Sequence, residues 1–172
     1  MEGQRLKFLV MDVDGTLTDG KIYIGNSGEL FKCFDVKDGC GIKDLLPQYD
    51  ILPVIITARE SKILQNRCNE LEITNVYQGI RDKLGKLNEI IEKYNSDNNT
   101  EYTLADCGYI GDDILDLQCM YPIKAAGGVV GCPADATKKI LDIADFVSTR
   151  SGGNGAVREF IEFIINLKYT HK

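Results

Sequence analysis

The apolar positions of this chain fall into short runs separated by longer stretches in which apolar residues recur at helical spacing. Residues 6–11 are mostly apolar, rich in strand formers and too short for a globular helix, so they read as a strand buried on both faces. Leu52–Ile56 and Cys107–Ile110 are runs of the same kind, and a further short run precedes Lys83. Between them, Ile63, Leu64, Cys68 and Leu71 are helically spaced in residues 60–71, as are Leu84, Leu87, Ile90 and Ile91 in residues 82–94. Residues 113–120, 135–143 and 155–167 complete the predicted helices, with short strands expected at 123–126 and 145–148 and a polar surface loop at 95–100. Strands alternating with helices across Gly-bearing turns predict an α/β fold, a doubly wound, mainly parallel sheet with helices on both faces.

One feature interrupts that alternation. Residues 21–24 and 29–34 flank a Gly/Asn/Ser turn and predict a β-hairpin directly after the first strand. Asp38 is the expected N-cap of a short helix over 39–46, stopped by Pro47. No repeat, linker or second composition divides the 172 residues, so one domain spanning 1–172 is expected.

Candidate chemistry gathers where the runs end. Asp12 closes the first run, Asp14 follows two residues later, and Gly15 allows a sharp turn. Two close carboxylates repel and need a cation or hydrogen-bond donors when buried, which suits a hard divalent ion such as Mg²⁺; the same residues also fit a strand with an ordinary Asp-Gly turn. Thr57 ends the second run, Lys83 follows the third, and Gly111-Asp112-Asp113-Ile114-Leu115-Asp116 follows the fourth. As neighbouring parallel strands, these runs bring carboxylates, a hydroxyl and an ammonium to one crevice at their carboxyl ends. Taken singly, each has a plainer reading: Thr57 as a strand-end residue, Lys83 as a surface lysine, Asp112 as a helix cap, Asp113 and Asp116 as solvated helix carboxylates.

Composition narrows the choice. A hydrophobic content of 44% supports a packed globule, and a net charge of −6 argues against a nucleic-acid partner, which needs clustered Lys and Arg. No apolar run approaches the length of a membrane helix and the first residues lack signal-peptide character, so a cytoplasmic protein without a membrane partner is expected. Six cysteines without a C-x-x-C pair read as free core thiols rather than disulfides or a zinc site. The single histidine, His171, is penultimate and read as disordered; a Ser-His-Asp or Cys-His mechanism is excluded, leaving carboxylates and Lys to act.

Asp12-Val13-Asp14-Gly15-Thr16, the strand-terminal Thr57, Lys83 and Gly111-Asp112-Asp113-x-x-Asp116, in that order, resemble the four motifs of the haloacid dehalogenase superfamily of phosphotransferases. Residues 17–26, 34–42, 77–79 and 152–160 extend the resemblance to its small capless branch, which includes 3-deoxy-D-manno-octulosonate 8-phosphate (KDO 8-phosphate) phosphatases. Ala58 and Thr16 depart from it, standing where much of the branch has Gly and often Val.

The resemblance implies a Rossmann-like fold without a cap domain, and a Mg²⁺-dependent phosphatase acting on a sugar-acid phosphate. Asp12 is then the nucleophile that forms an aspartyl-phosphate, and Asp14 the general acid and base. The metal ligands are the Asp12 and Asp112 carboxylates and the Asp14 backbone carbonyl. Thr57, Ala58 and Lys83 hold the phosphate, while Asp113 and Asp116 support the site. Arg59 and Arg67 are candidates for the substrate carboxylate, and Arg158 and the neighbouring glycines for substrate contacts; Arg67 also reads as a surface helix charge. In this branch neighbouring chains of a homotetramer shield each site. An Arg at position 59 accompanies the eight-carbon substrate, whereas enzymes for nine-carbon sialic-acid-type 9-phosphates tend to carry Glu. Two other classes are a non-catalytic assembly module, as in degenerate relatives fused to sialic-acid cytidylyltransferases, and a phosphoacceptor receiver. The intact Asp12, Asp14, Lys83 and Asp112 argue against the module. The position of Gly111-Asp112-Asp113 argues against the receiver.

Overall fold

The computed structural model describes residues 6–169; His171 and the first five residues lie outside it, as do the side chains of residues 168 and 169. Eight strands are formed: β1 (Phe8–Met11), β2 (Tyr23–Gly25), β3 (Gly28–Phe31), β4 (Leu52–Ile56), β5 (Asn75–Tyr77), β6 (Cys107–Ile110), β7 (Val129–Cys132) and β8 (Phe146–Val147). Six of them make a wholly parallel sheet in the order β5-β4-β1-β6-β7-β8. The α-helices are α1 (Val36–Cys40), α2 (Lys62–Glu70), α3 (Lys83–Asn98), α4 (Leu117–Ala126), α5 (Lys138–Ile143) and α6 (Ala156–Tyr169).

Side-chain alternation along β1 explains the two layers. Leu9 and Met11 face a core shared with Leu64 of α2 and Phe160, Ile161 and Ile164 of α6. Phe8 and Val10 face the opposite core, with Leu87 and Ile90 of α3, Met120 and Ile123 of α4 and Ile140 of α5. A strand covered on both faces has no solvent-facing positions, hence the unbroken apolar runs. The chain builds outward from β1 through β4 to β5, then crosses back to β6 on the other side of β1. This reversal opens a crevice at the carboxyl ends of β1, β4 and β6.

Several boundaries differ from expectation. The strand expected at 123–126 is the end of α4. Pro122 removes one helical hydrogen bond, but burial of Cys119, Met120 and Ile123 outweighs it, and the strand is Val129–Cys132, after the left-handed Gly127. The loop expected at 95–100 is mostly helix: α3 runs through Asn98, supported by a Lys93–Asp97 ion pair of 2.9 Å and capped by the left-handed Asn99. Asp38 caps nothing in its own helix. Asp35 takes that role, accepting from the Lys37 amide at 2.6 Å, and the helical path continues past Pro47 as a wide turn over Gly41–Leu45 and a tight one over Leu46–Tyr49. Four cysteines are buried core thiols, but Cys33 and Cys40 are exposed.

The predicted hairpin forms as a separate two-stranded ribbon, β2-β3, turning at Asn26-Ser27 and held at its base by a Thr18–Phe34 bridge. It and the α1 segment fill the chain between β1 and β4, and no separate cap lies there. Among the described residues no helix is long and apolar enough to cross a membrane.

Phe160 docks α6 on the sheet: it is fully buried, and a side chain on Gly131 of β7 would fall 2.6 Å from its ring. Replacing Phe160 by Ala is expected to destabilise the fold by about 3–5 kcal/mol in equilibrium denaturation, and a loss under about 1.5 kcal/mol would mean α6 is not docked through this ring.

Candidate active site

Asp12 lies one residue beyond β1, with its amide donating to the Ile110 carbonyl at 3.1 Å, so the β1 and β6 ends are tied together where the first carboxylate emerges. Asp112 arrives from β6. Gly15, at φ +97°, makes the approach possible, because a Cβ there would sit 2.1 Å from Asp112 Oδ2. Thr16, at the following position, donates its hydroxyl to Asp112 Oδ1 at 3.0 Å. Lys83, the first residue of α3, is buried and reaches down to Asp12 Oδ1 at 2.8 Å and Asp116 Oδ1 at 2.7 Å.

Asp116 is fully engaged. Its Oδ1 also accepts from Tyr109 OH at 2.7 Å, and its Oδ2 accepts from the Asp112 and Asp113 amides at 3.0 and 3.1 Å. It therefore shapes the loop that carries Asp112 rather than presenting free oxygens. Asp113 caps the following turn through the Ile114 amide and stands at the cleft wall. Of the plainer readings, those for Lys83 and Asp116 as solvated groups are corrected by their burial. That for Asp112 as a cap is corrected by Asp113 taking the role.

The charges do not balance. Oxygens of Asp12, Asp112 and Asp116 lie within 4.8 Å of one another, and among the described residues the Lys83 ammonium pairs with Asp12 and Asp116 but not with Asp112. Burial, the Asp116 charge and an incomplete offset from Lys83 push the Asp12 carboxyl up to about 6. Burial with the Asp12 and Asp116 charges pushes Asp112 up to about 8, against the Thr16 hydroxyl. Burial would depress Lys83, but Asp12 and Asp116 overcome it and hold the ammonium up at about 12. Clustered buried carboxylates with excess negative charge fit a hard divalent cation. Since Asp116 is committed to Lys83, Tyr109 and two amides, the Asp12 and Asp112 carboxylates are the groups left to hold one.

A cleft of about 240 Å³ opens above this cluster, lined by Asp12, Asp14, Thr57, Ala58, Arg59, Lys83, Asp113, Leu115 and Asp116. Asp14 is clamped from the hairpin: Lys32, its side chain only 3% exposed, donates to Asp14 and pairs with Glu29 at 3.0 Å. Arg59 stands 3.8 Å from Asp14 and 3.5 Å from Glu29, and its Nη1 is buried without a hydrogen-bond partner. Ser61, which caps α2, donates its hydroxyl to Glu29.

No protein-family model matches the chain. The 3-deoxy-D-manno-octulosonate 8-phosphate phosphatase KdsC of Escherichia coli strain K12 is 37% identical over 164 residues, covering 95% of this chain and 81% of that protein. The protein of that name from Yersinia pestis is 40% identical over 160 residues, covering 93% and 80%. The chain belongs to the KDO 8-phosphate phosphatase family. Among solved structures, that of the Moraxella catarrhalis KDO 8-phosphate phosphatase in complex with magnesium ion, phosphate ion and KDO matches with a TM-score of 0.84 at 35% identity, covering 96% of this chain and 88% of that one.

Two candidate residues of this family member lie outside the cleft. Arg67 sits over the Phe34 ring, 5.9 Å from its centroid, and pairs with Glu70 at 2.8 Å; Arg158 pairs with Glu162 at 2.6 Å beside Gly41. Conversely, Lys32, Glu29, Ser61 and Tyr109 were missed. Their roles depend on the hairpin folding back over the β4 loop and on a strand-interior hydroxyl, which no local spacing reveals.

Both raised carboxyl values carry a sign. A group whose folded value exceeds its ordinary 3.8 gives stability that is complete at low pH and lost as pH rises through the folded value, here about 6 for Asp12 and about 8 for Asp112. The metal-free protein is expected to lose melting temperature between about pH 4 and pH 8, excess Mg²⁺ to restore it, and Asp112→Asn to flatten the upper part of the fall. An unchanged fall in Asp112→Asn, followed by calorimetry, would remove the charge cluster as its cause.

Proposed function

We propose that this chain is a Mg²⁺-dependent phosphomonoesterase that hydrolyses KDO 8-phosphate to KDO and phosphate through an aspartyl-phosphate on Asp12. The carrying observation is the cluster of buried Asp12, Lys83 and Asp116 with half-buried Asp112 beneath a cleft, in a chain whose relative holds magnesium, phosphate and KDO. The ionised Asp12 carboxylate needs no base to attack phosphorus, and Lys83 orients it and places positive charge beside the phosphoryl oxygens. Thr57 and the Ala58 amide bind those oxygens from the cleft wall. Asp14 gives its proton to the departing sugar oxygen, then takes one from the water that opens the aspartyl-phosphate. Mg²⁺, when held by the Asp12 and Asp112 carboxylates and the Asp14 carbonyl, offsets repulsion between anionic nucleophile and anionic phosphate.

Removing the nucleophile while keeping its volume tests this order of events. Asp12→Asn is expected to fold and to lose turnover by far more than tenfold, a loss above ~1.4 kcal/mol in barrier. Asp14→Asn is expected to retain labelled phosphoenzyme in a quench assay. Turnover of Asp12→Asn within tenfold of the parent would exclude covalent catalysis.

Arg59 supplies the choice of sugar acid in this reading. Its side chain lines the cleft beside Asp14 and Glu29 and keeps an Nη1 without a hydrogen bond, and a planar guanidinium grips a carboxylate through paired hydrogen bonds. Arg59→Ala is expected to cut kcat/KM for KDO 8-phosphate by about 30- to 150-fold, roughly 2–3 kcal/mol. Better turnover of a nine-carbon 9-phosphate by the parent would reassign the substrate. An intact set of acid, nucleophile, lysine and metal carboxylates argues against a non-catalytic module.

A homotetramer completes the proposal. Ile22, Ile24, Leu30 and Phe31 of the hairpin region are 47–70% exposed in the isolated chain, a concentration of apolar surface that a second copy would cover. Light scattering is expected to give four times the 19.1 kDa chain mass, and a fully active monomer would contradict it. Four buried free thiols support a reducing, cytoplasmic setting and a single domain packed around them.

A further inference from the structure

Asp38 is a buried carboxylate that the chemistry above does not use. It is 1% exposed, and its Oδ1 accepts from the Arg158 amide in the first turn of α6 at 2.7 Å, across 120 positions of sequence. An anion at this end of a fourteen-residue helix satisfies an otherwise unpaired amide and complements the helix dipole. Its Oδ2 is buried without a hydrogen-bond partner, as is Nε of Arg67, and both residues line one small cavity with Phe34 and Gly39. Burial raises Asp38 to about 6 against the pull of the Arg158 and Gly155 amides.

The segment leading into α6 lies against the catalytic turn. A Cβ on Gly152 would fall 1.9 Å from the Gly15 carbonyl oxygen and 2.8 Å from that of Thr18. Gly153, at φ +65°, donates its amide to the Thr16 carbonyl at 3.1 Å, and the Gly152 amide is held by Asp135 Oδ1 at 2.9 Å. Backbone thus rests directly on backbone, at a distance only glycine permits, behind the turn that carries Asp14 and the Thr16 hydroxyl. Asp135 fixes one end of this segment and Asp38 the other.

We propose that Asp38 is a positioning residue for phosphoryl transfer: by anchoring the start of α6 it seats Gly152-Gly153 against residues 15–18 and so fixes Asp14 and Thr16 over the metal carboxylates. The proposal rests on the phosphatase reading for its kinetic consequence, and on geometry alone for the coupling. The groups that bind phosphate, namely Thr57, Ala58 and Lys83, belong to other elements and are not seated by this segment. Loss of the anchor should therefore move kcat and leave KM nearly alone.

The test compares Asp38→Ala with Asp38→Asn, which keeps an oxygen for the Arg158 amide. Below the melting temperature of each variant, Asp38→Ala is expected to lower kcat for KDO 8-phosphate at least about tenfold at saturating Mg²⁺, with KM within about threefold, and Asp38→Asn to recover kcat to within about threefold. Hydrogen exchange in Asp38→Ala should accelerate at the Thr16, Thr18 and Gly153 amides and remain unchanged in β1 and β6. An unaltered kcat in Asp38→Ala, no rescue by Asn, or exchange that rises uniformly or not at all in the turn would overturn the assignment. A parent protein without phosphatase activity would sink the phosphatase reading instead, and the exchange pattern would then decide the coupling by itself.

Discussion

The structure is arranged around one electrostatic conflict, three carboxylates crowded within 4.8 Å beneath a cleft and faced by a single buried ammonium. Like charges at this separation are stable only where hydrogen-bond donors and a fixed backbone hold them. Each supporting element answers that need. The β1 and β6 ends are pinned side by side, Gly15 lets Asp112 approach, the Asp112 and Asp113 amides and Tyr109 share out the oxygens of Asp116, and Lys83 bridges two of the three acids. The remaining imbalance is the source of affinity for a dication, because whatever neutralises the cluster also relieves the folded state. Stability and function are therefore opposed in the metal-free chain and aligned in the loaded one.

The same conflict explains what could be read in advance. Strands β1, β4 and β6 were legible because a strand covered on both faces has almost no polar positions, and the chemistry was legible because parallel strands deliver their next residues to one edge. Asp12, Asp14, Thr57 and Lys83 indeed line one cleft, with Asp112 beside Asp12 beneath it. What failed was settled at long range. The strand expected at 123–126 is the end of α4, which runs past Pro122 because Met120 and Ile123 are buried against the sheet. Asp38 has the look of a local cap, yet its partner is the Arg158 amide. Arg67 and Arg158 sit near the motifs in the sequence, but their side chains turn to Phe34 and Glu162, away from the cleft.

Floor and rim of the site are built from different material, and this divides the work between them. The floor comes from the ends of central strands, with backbone hydrogen bonds on both sides and side chains in two cores, so its groups move little. The rim comes from the β2-β3 ribbon and the loop after β4, joined through the Glu29, Lys32, Arg59 and Ser61 side chains. That ribbon is short, paired only with itself, and carries exposed Ile24 and Leu30. A two-stranded ribbon with an uncovered apolar face has little stability of its own. Lys32 nevertheless reaches from it to Asp14, a cleft-lining carboxylate outside the Asp12–Asp112–Asp116 cluster. Whatever steadies the ribbon therefore also steadies Lys32 against Asp14, whereas the Asp12–Lys83 pair belongs to the strand-end floor beneath.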